Sequence, residues 1–545
     1  MPTSATDQQR VSERMSLAAR LAIVVLVLVA EKFLLNFFVD FDSAQAATGL
    51  GATVRITQHW GFRFAVTLAA SLALFSYVRS DARLVQINAA ARAIPLRPAW
   101  LLCHGALLLP LVALSYFLYG VRGAPAPFAA LVALWVLVAV AAVLTLLAGM
   151  GPWRVWRAAA RALGVLWFYA GAAAAVAAFA MQWSQKLWEP TARVTFEIVR
   201  RLLAPMIPSL QSDASTLILS TDRFSVQIAE VCSGLEGVGL MLAFCCAWLV
   251  CFRKEYIFPR ALALIPAALL LVFALNVLRV AALVLIGDAG HPDIAVYGFH
   301  SQAGWIAFNC AAGAIAFASR RSAWLNRTAT RSVAHDGDNP TAAYVLPLLA
   351  VLAAGMLARA ASSGFETLYA TRLVAGGLVL WFCWPKLTGL DWRFSWRGPA
   401  AGVAVFVLWL CASYLLVPAS TIPDTLAAMS SPQRWLWIAA RVAASLIIVP
   451  IAEELAYRGY LLRRLTAADF ESVRFRAVGG WSLLLSSLAF GLAHGAMWLP
   501  GIAAGAIYGA LVMRTERIGE ALVAHVTANG LIAACVLLAG QWQLW

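Results

Sequence analysis

The chain has 545 residues, of which 62% are hydrophobic and only 12% charged, and it carries a formal net charge of +15. That composition excludes a soluble globular protein, because many apolar runs reach bilayer-spanning length and are apolar around the whole helix, as in Leu21 to Ala30, Leu131 to Leu147 and Ala261 to Leu275. The positive charge does not point to nucleic acid, since Arg and Lys cluster in short loops between apolar spans, as the positive-inside rule describes.

The expected fold class is an all-α polytopic membrane protein of about fifteen spans, about eight before a polar break and about seven after it. Arg10, Arg14 and Arg20 precede Leu21 to Phe38, and no small-residue cleavage site follows, so an uncleaved first span with a cytoplasmic N-terminus is expected. Basic loops at Arg79 to Arg97, Arg154 to Arg161, Arg253 to Arg260 and Arg320 to Arg331 alternate with Asp40 to His59, Val121 to Pro127, Gln185 to Glu230 and Gly287 to Phe299. The first set is expected in the cytoplasm and the second outside it. The polar break, Ser319 to Asn339, reads as a cytoplasmic linker, giving domains at 1–320 and 341–545 joined by 321–340. No internal repeat relates the two halves, which argues against a duplicated transporter.

This topology puts Cys232, Arg279 and His300 on one side of the membrane. Cys232 opens the span that runs inward to Arg253, Arg279 lies near the outer end of the returning span, and His300 opens the next one. Thiol, guanidinium and imidazole together suit acyl transfer: the imidazole takes the thiol proton, the thiolate attacks a peptide carbonyl, and the cation stabilises developing negative charge. Each residue also has a plain structural reading. The other eight Cys sit in apolar sequence, where they simply pack, an outer Arg often anchors at the interface, and His300 taken alone fits a polar helix-end contact as well as a base. Cys232 differs in being surrounded by Ser233, Gly234 and Gly237 after a long polar stretch, Leu187 to Ile228. Within that stretch Leu217 to Leu219 and Phe224 to Ile228 look like short strands joined by Thr221, Asp222 and Arg223, a hairpin whose edge can take an extended peptide. An ordinary capping loop is the alternative.

Val-Cys232-Ser-Gly-Leu, Asn276-Val-Leu-Arg279 and His300 at the next helix start resemble the exosortases, bacterial membrane transpeptidases, over about the first 320 residues. The resemblance implies Cys232 as nucleophile, His300 as acid/base and Arg279 as electrostatic stabiliser. It also implies the partners: secreted proteins with a C-terminal sorting signal made of a Pro-Glu-Pro-like motif, a transmembrane helix and a basic tail.

The second half holds Ala452-Glu453-Glu454-Leu-Ala-Tyr-Arg458. A charge at the bilayer centre costs roughly 2.5 to 3.5 kcal/mol, so Glu453, Glu454 and Arg458 together cost about 7 kcal/mol or more unless they are paired. Glu454 and Arg458 stand at i and i+4, a favourable ion-pair spacing, whereas Glu453 lies about 100 degrees around the helix and is free to face a cavity. The same four-residue spacing relates Phe490 to His494 and His525 to Asn529. Glu453 can act as general base on a water, with His494, His525 and Asn529 binding or stabilising the oxyanion. Three alternatives share these residues: a zinc site from two His and a Glu, although no His-Glu-x-x-His occurs; purely structural pairing of Glu454 with Arg458; and the proton relay of a transporter, or a non-catalytic scaffold, for the whole chain.

Glu453-Glu454-x-x-x-Arg458, Phe490-x-x-x-His494 and His525-x-x-x-Asn529, in that order, resemble the CPBP (Abi) family of glutamic intramembrane proteases over about Arg434 to Trp545. The resemblance implies that Glu453 activates water, that Glu454 and Arg458 support the site, that His494, His525 and Asn529 complete it, and that no metal or other cofactor is needed. Among exosortases, the subtype exosortase E carries such a domain and is paired with signals of the Val-Pro-Glu-Ile-Asp type. The combined expectation is a multi-pass protein of the bacterial cytoplasmic membrane, in contact with lipid and not with nucleic acid. Its thiol site would face the extracytoplasmic side.

Overall fold

The computed structural model describes residues 94–120, 128–229, 232–327, 340–467 and 469–545, together with scattered positions between 20 and 91. The expected first span Leu21 to Phe38 falls only in part on these. The loops at 40–59 and 121–127, most of the basic loop 79–97, Glu230 and positions 328–339 of the linker lie outside them.

The chain divides into two compact units, Met1–Lys186 and Leu187–Trp545. In the first, α1 (Pro98–Ser115) pairs with α2 (Phe128–Met150), both apolar enough to span a membrane. An amphipathic helix, α3 (Trp153–Leu163), then meets the start of α4 (Leu166–Leu203) at an 82° bend. His104 on α1 bonds the Ala142 carbonyl of α2 at 2.9 Å and Glu31 at 2.6 Å, so this imidazole and carboxylate have partners within an apolar unit.

The second unit begins within α4 and passes into a three-stranded antiparallel meander, β1 (Gln211–Asp213), β2 (Ile218–Ser220) and β3 (Ser225–Gln227). The expected hairpin is present, with Ile218 opposite Gln227 and Ser220 opposite Ser225. Thr221 closes its turn: its hydroxyl accepts from the Phe224 amide at 3.1 Å, and its own N–H donates to the Phe224 carbonyl at 2.7 Å. The extra strand β1 is made possible by Asp213, whose carboxylate accepts from the Ser215 amide, the Ser215 hydroxyl and the Thr216 hydroxyl and so turns the chain back into β2.

Three helices follow: α5 (Leu235–Cys251), α6 (Leu264–Asp288) and α7 (His300–Arg321). Residues 322–327, expected as the start of the linker, fold back onto this bundle. Leu325 enters its core, Asn326 bridges to Tyr256, and the Asn326 amide donates to the end carbonyls Ser319 and Arg320 of α7.

The remaining helices are α8 (Pro340–Ala360), α9 (Ala370–Cys383), α10 (Arg397–Leu416), α11 (Ser431–Arg464), α12 (Gly480–Leu492), α13 (Trp498–Thr515) and α14 (Ile518–Ala539). A stripe of small residues, Gly501, Gly505 and Gly509, lets α13 press against Gly491, Ser487 and Leu483 of α12. Eight helices among the described residues are long and apolar enough to cross a membrane, or nine if the bent pair counts as one span. The protein is thus a multi-pass all-α membrane protein. Four other helices named above fall short of that measure: α5, α9 and α12 have 17, 14 and 13 residues, and α7 carries His300, Ser301, Gln302 and Asn309.

Candidate active sites

Cys232 sits on a turn that three neighbours fix. Its own amide bonds the Ala229 carbonyl at 3.0 Å, Asn276 of α6 donates to its carbonyl at 3.1 Å, and Thr195 of α4 donates to the Ser233 carbonyl at 3.2 Å. Gly234, next in the chain, has φ +86°, and a Cβ there would stand 2.6 Å from the Asn276 side-chain nitrogen. The Ser-Gly pair after the cysteine is therefore what lets the turn close over Asn276 and start α5.

The sulfur lies 3.9 Å from His300 Nδ1, a contact that brings together residues 68 positions apart in sequence. Asn276 and Arg279 are one turn apart on α6, so the helix that holds the cysteine carbonyl also delivers the guanidinium. Arg279 reaches α7 at Gly304, one turn beyond His300, where its Nη1 comes within 2.9 Å of an ideal Cβ position. Its charge acts on both Cys232 and His300. The three residues expected to share a site are brought together. Cys232 is 3% exposed and stands at the N-terminal end of α5, where helix polarity favours an anion.

The second cluster centres on α11, a helix broken twice by π-turns, at Ala444–Ile448 and Glu454–Leu461. The first has a local cause. Pro450 has no N–H, so the Ser445 carbonyl has no amide donor five residues on, and the Asn529 side chain donates to it instead at 2.8 Å. The expected ion pair forms at full burial: Arg458 Nη1 donates to Glu454 Oε1 at 2.8 Å, with the residues 1% and 0% exposed. His525 meets the same oxygen through Nδ1 at 3.0 Å, which leaves its Nε2 turned to Glu453 Oε2 at 3.8 Å. One histidine therefore spans both carboxylates.

His494 enters differently. It stands just past the end of α12, bonds the Phe490 carbonyl through Nδ1 at 2.7 Å, and packs between Phe490 and Trp409. Phe490 is the hub, touching His494, His525, Tyr457 and the face of the Arg458 guanidinium. Glu453, Glu454, Arg458 and His525 thus form one connected group, His494 joins it through Phe490, and Asn529, one turn past His525, holds the α11 break. Among the described residues no three His, Cys, Asp or Glu side chains stand together as metal ligands.

Two contributors escaped the motif reading. Tyr508 stacks on His525 at 5.2 Å with an interplanar angle of 24° and lies beneath Arg458. Its signal was its place within the Gly501, Gly505, Gly509 stripe, one residue before the last glycine. Thr195 had no sequence signal, being one hydroxyl in a helix 37 residues before Cys232.

Residues 57–317 match the family model of the transmembrane exosortases, and residues 435–531 match that of the type II CAAX prenyl endopeptidase Rce1-like proteins. The two matches occur in that order and enclose Cys232, Arg279 and His300 on one side and Glu453 through Asn529 on the other. No curated protein and no solved structure matches the chain.

Proposed function

We propose that this membrane protein, with its exosortase-like and endopeptidase-like regions, is a sorting-signal transpeptidase joined to a second, glutamate-dependent protease. The observation that carries the first half is the 3.9 Å approach of the Cys232 sulfur to His300 Nδ1 beside Arg279. His300 takes the thiol proton and Cys232 attacks the carbonyl carbon of the scissile peptide bond. Arg279 holds the developing oxyanion, and His300 returns the proton to the leaving amine. The acyl group then passes to an acceptor. The substrates are secreted proteins with a C-terminal signal of Pro-Glu-Pro type, and the subtype resemblance favours Val-Pro-Glu-Ile-Asp.

The functional domains are 1–320 and 341–545, and the thiol site faces the extracytoplasmic side of a bacterial cytoplasmic membrane. In the second domain Glu453 is the base that activates water. Glu454 and Arg458 fix His525 so that it faces Glu453, and His494 and Asn529 complete the site. Supporting this reading, the 3.8 Å Glu453 to His525 approach leaves the two groups close enough to share a water. Both domains act on membrane-embedded peptide, so the second either degrades the helix released by the first or matures a related substrate.

The test is co-expression with a tagged secreted protein bearing a candidate sorting signal, comparing wild type, Cys232→Ala and Glu453→Gln by tag size and release from the membrane. Loss of cleavage in Cys232→Ala supports the transpeptidase. Equal behaviour of all three with several verified signals points to a transporter or scaffold.

A further inference from the structure

His300 is reached through a single π-turn, Ile294–Phe299, that runs directly into α7. That turn is seated on the other bundle. An ideal Cβ on Gly298 would stand 2.0 Å from the Ser362 carbonyl oxygen, 2.7 Å from that of Arg359 and 3.0 Å from that of Ala360. Real Cβ atoms do not come nearer than 3.0 Å, so only glycine lets the two backbones approach this closely. These carbonyls belong to the last turn of α8 and the residues just after it. From the other side, Gly364, held at φ +91°, meets Tyr297 of the same π-turn with an ideal Cβ to Cβ distance of 3.9 Å.

The seat is stiff. The buried Ser362 hydroxyl donates to the Ala358 carbonyl at 2.7 Å and lies 3.2 Å from that of Thr367. Glu366 takes a two-pronged ion pair from Arg372 of α9, both contacts 2.7 Å, while its carbonyl accepts from Trp437 of α11 at 2.9 Å. The loop after α8 is therefore tied to two helices of the second bundle, and it grips the first bundle two residues before His300.

We propose that the second bundle is a positioning element for the first site, with the α8 terminus and the loop at Ser362 and Gly364 clamping the Gly298 turn so that the His300 imidazole is held against Cys232. This rests on the Cys232 and His300 pairing proposed above. It gives the fusion a mechanical role in addition to its second chemistry, because the thiol site would need the second bundle in place even for a substrate that bundle never cuts. Gly298 and Gly364 touch no reacting atom and act only through the turn.

The experiment is the pH profile of Cys232 alkylation by a small maleimide, read by mass spectrometry of the Cys232 peptide, in the full-length purified protein. Wild type, His300→Ala, Gly298→Ala and Gly364→Ala are compared. His300→Ala lowers the rate at neutral pH and leaves the alkaline plateau, where the thiol ionises unaided. Under the proposal both glycine variants do the same, by about tenfold, since a displacement near 1 Å is enough to uncouple paired groups. Gly364→Ala is the decisive variant because it lies wholly outside the first bundle. If His300→Ala lowers the rate but the glycine variants follow wild type, the clamp is wrong and the pairing stands. If His300→Ala itself follows wild type, the pairing fails and the clamp with it. A fall of the alkaline plateau in the glycine variants would mean altered access to the thiol and would equally overturn positioning.

Discussion

His525 turns its Nε2 to Glu453, 3.8 Å away, because its other ring nitrogen is already held by Glu454 at 3.0 Å. The two adjacent glutamates therefore have different tasks. Glu454 is spent on a buried pair with Arg458 and on orienting the imidazole, while the Glu453 oxygen that faces His525 is buried without a protein hydrogen-bond partner. A carboxylate oxygen in that condition, beside an imidazole nitrogen, is suited to hold a water.

Glu453→Gln keeps the shape of the site and removes the base. The second activity should fall by about 10²- to 10⁴-fold, the usual contribution of a positioned general base, with no change in thermal unfolding. The measurement is the lifetime of a C-terminally tagged helix fragment after sorting-signal cleavage: the fragment should accumulate in Glu453→Gln. Chelators should leave that lifetime unchanged, and strong inhibition by them would revive the zinc reading of the same residues.

Glu454→Ala should behave differently from its neighbour. It strands the Arg458 guanidinium in a fully buried position and frees His525, so the expected loss is one of stability, about 3 to 5 kcal/mol, the cost of breaking a buried pair by removing one partner. Thermal unfolding in detergent separates the two variants. A Glu454→Ala protein as stable as wild type would show that Arg458 finds compensation in the Phe490 and Tyr508 rings and the Gly505 carbonyl.

Cys232→Ser is a sharper probe of the first site than alanine, because it retains a donor of similar size. The hydroxyl is far less acidic than a thiol, so His300 at the sulfur's distance should not activate it, and a full-length substrate should accumulate uncleaved while the protein still inserts. Normal processing by Cys232→Ser would exclude a thiol mechanism.

The chemistry was more legible in the sequence than the architecture that delivers it. Four-residue spacings carried Glu454 to Arg458 correctly because an ion pair along one helix is a local matter, and the pair forms even though both residues lie within the second π-turn. They said nothing of Asn529 clasping Ser445, since that contact arises from a proline 79 residues earlier depriving a carbonyl of its donor. Loop charges alone led to the expectation that Cys232 and His300 lie near each other, and they stand 3.9 Å apart. The support of that pairing by Thr195 and Asn276 depends on helix packing, which residue periodicity does not encode in uniformly apolar spans. The polar break was read by composition as linker, yet Leu325 and Asn326 fold onto the first bundle because α7 ends there with carbonyls that need a donor.

The meander ahead of Cys232 supplies a pH prediction. Three hydrogen bonds, led by the Ser215 hydroxyl and followed by Thr216, hold the Asp213 carboxyl below the usual carboxylate range, at about 2 against an ordinary 3.8. A carboxylate whose folded pKa is depressed stabilises the fold above its unfolded pKa and loses that contribution as pH falls through the folded one. The β1–β2 turn should therefore keep its protection at neutral and mildly acidic pH and loosen between about pH 4 and pH 2. Glu197 on α4, held at about 2 by Arg200 and Arg201, should weaken over the same window. Hydrogen exchange of 211–220 across that range is the measurement. Asp213→Asn should already show at neutral pH the looser turn that wild type shows only in acid. If its exchange at neutral pH equals that of wild type, the negative charge at Asp213 is not what holds β1 to β2.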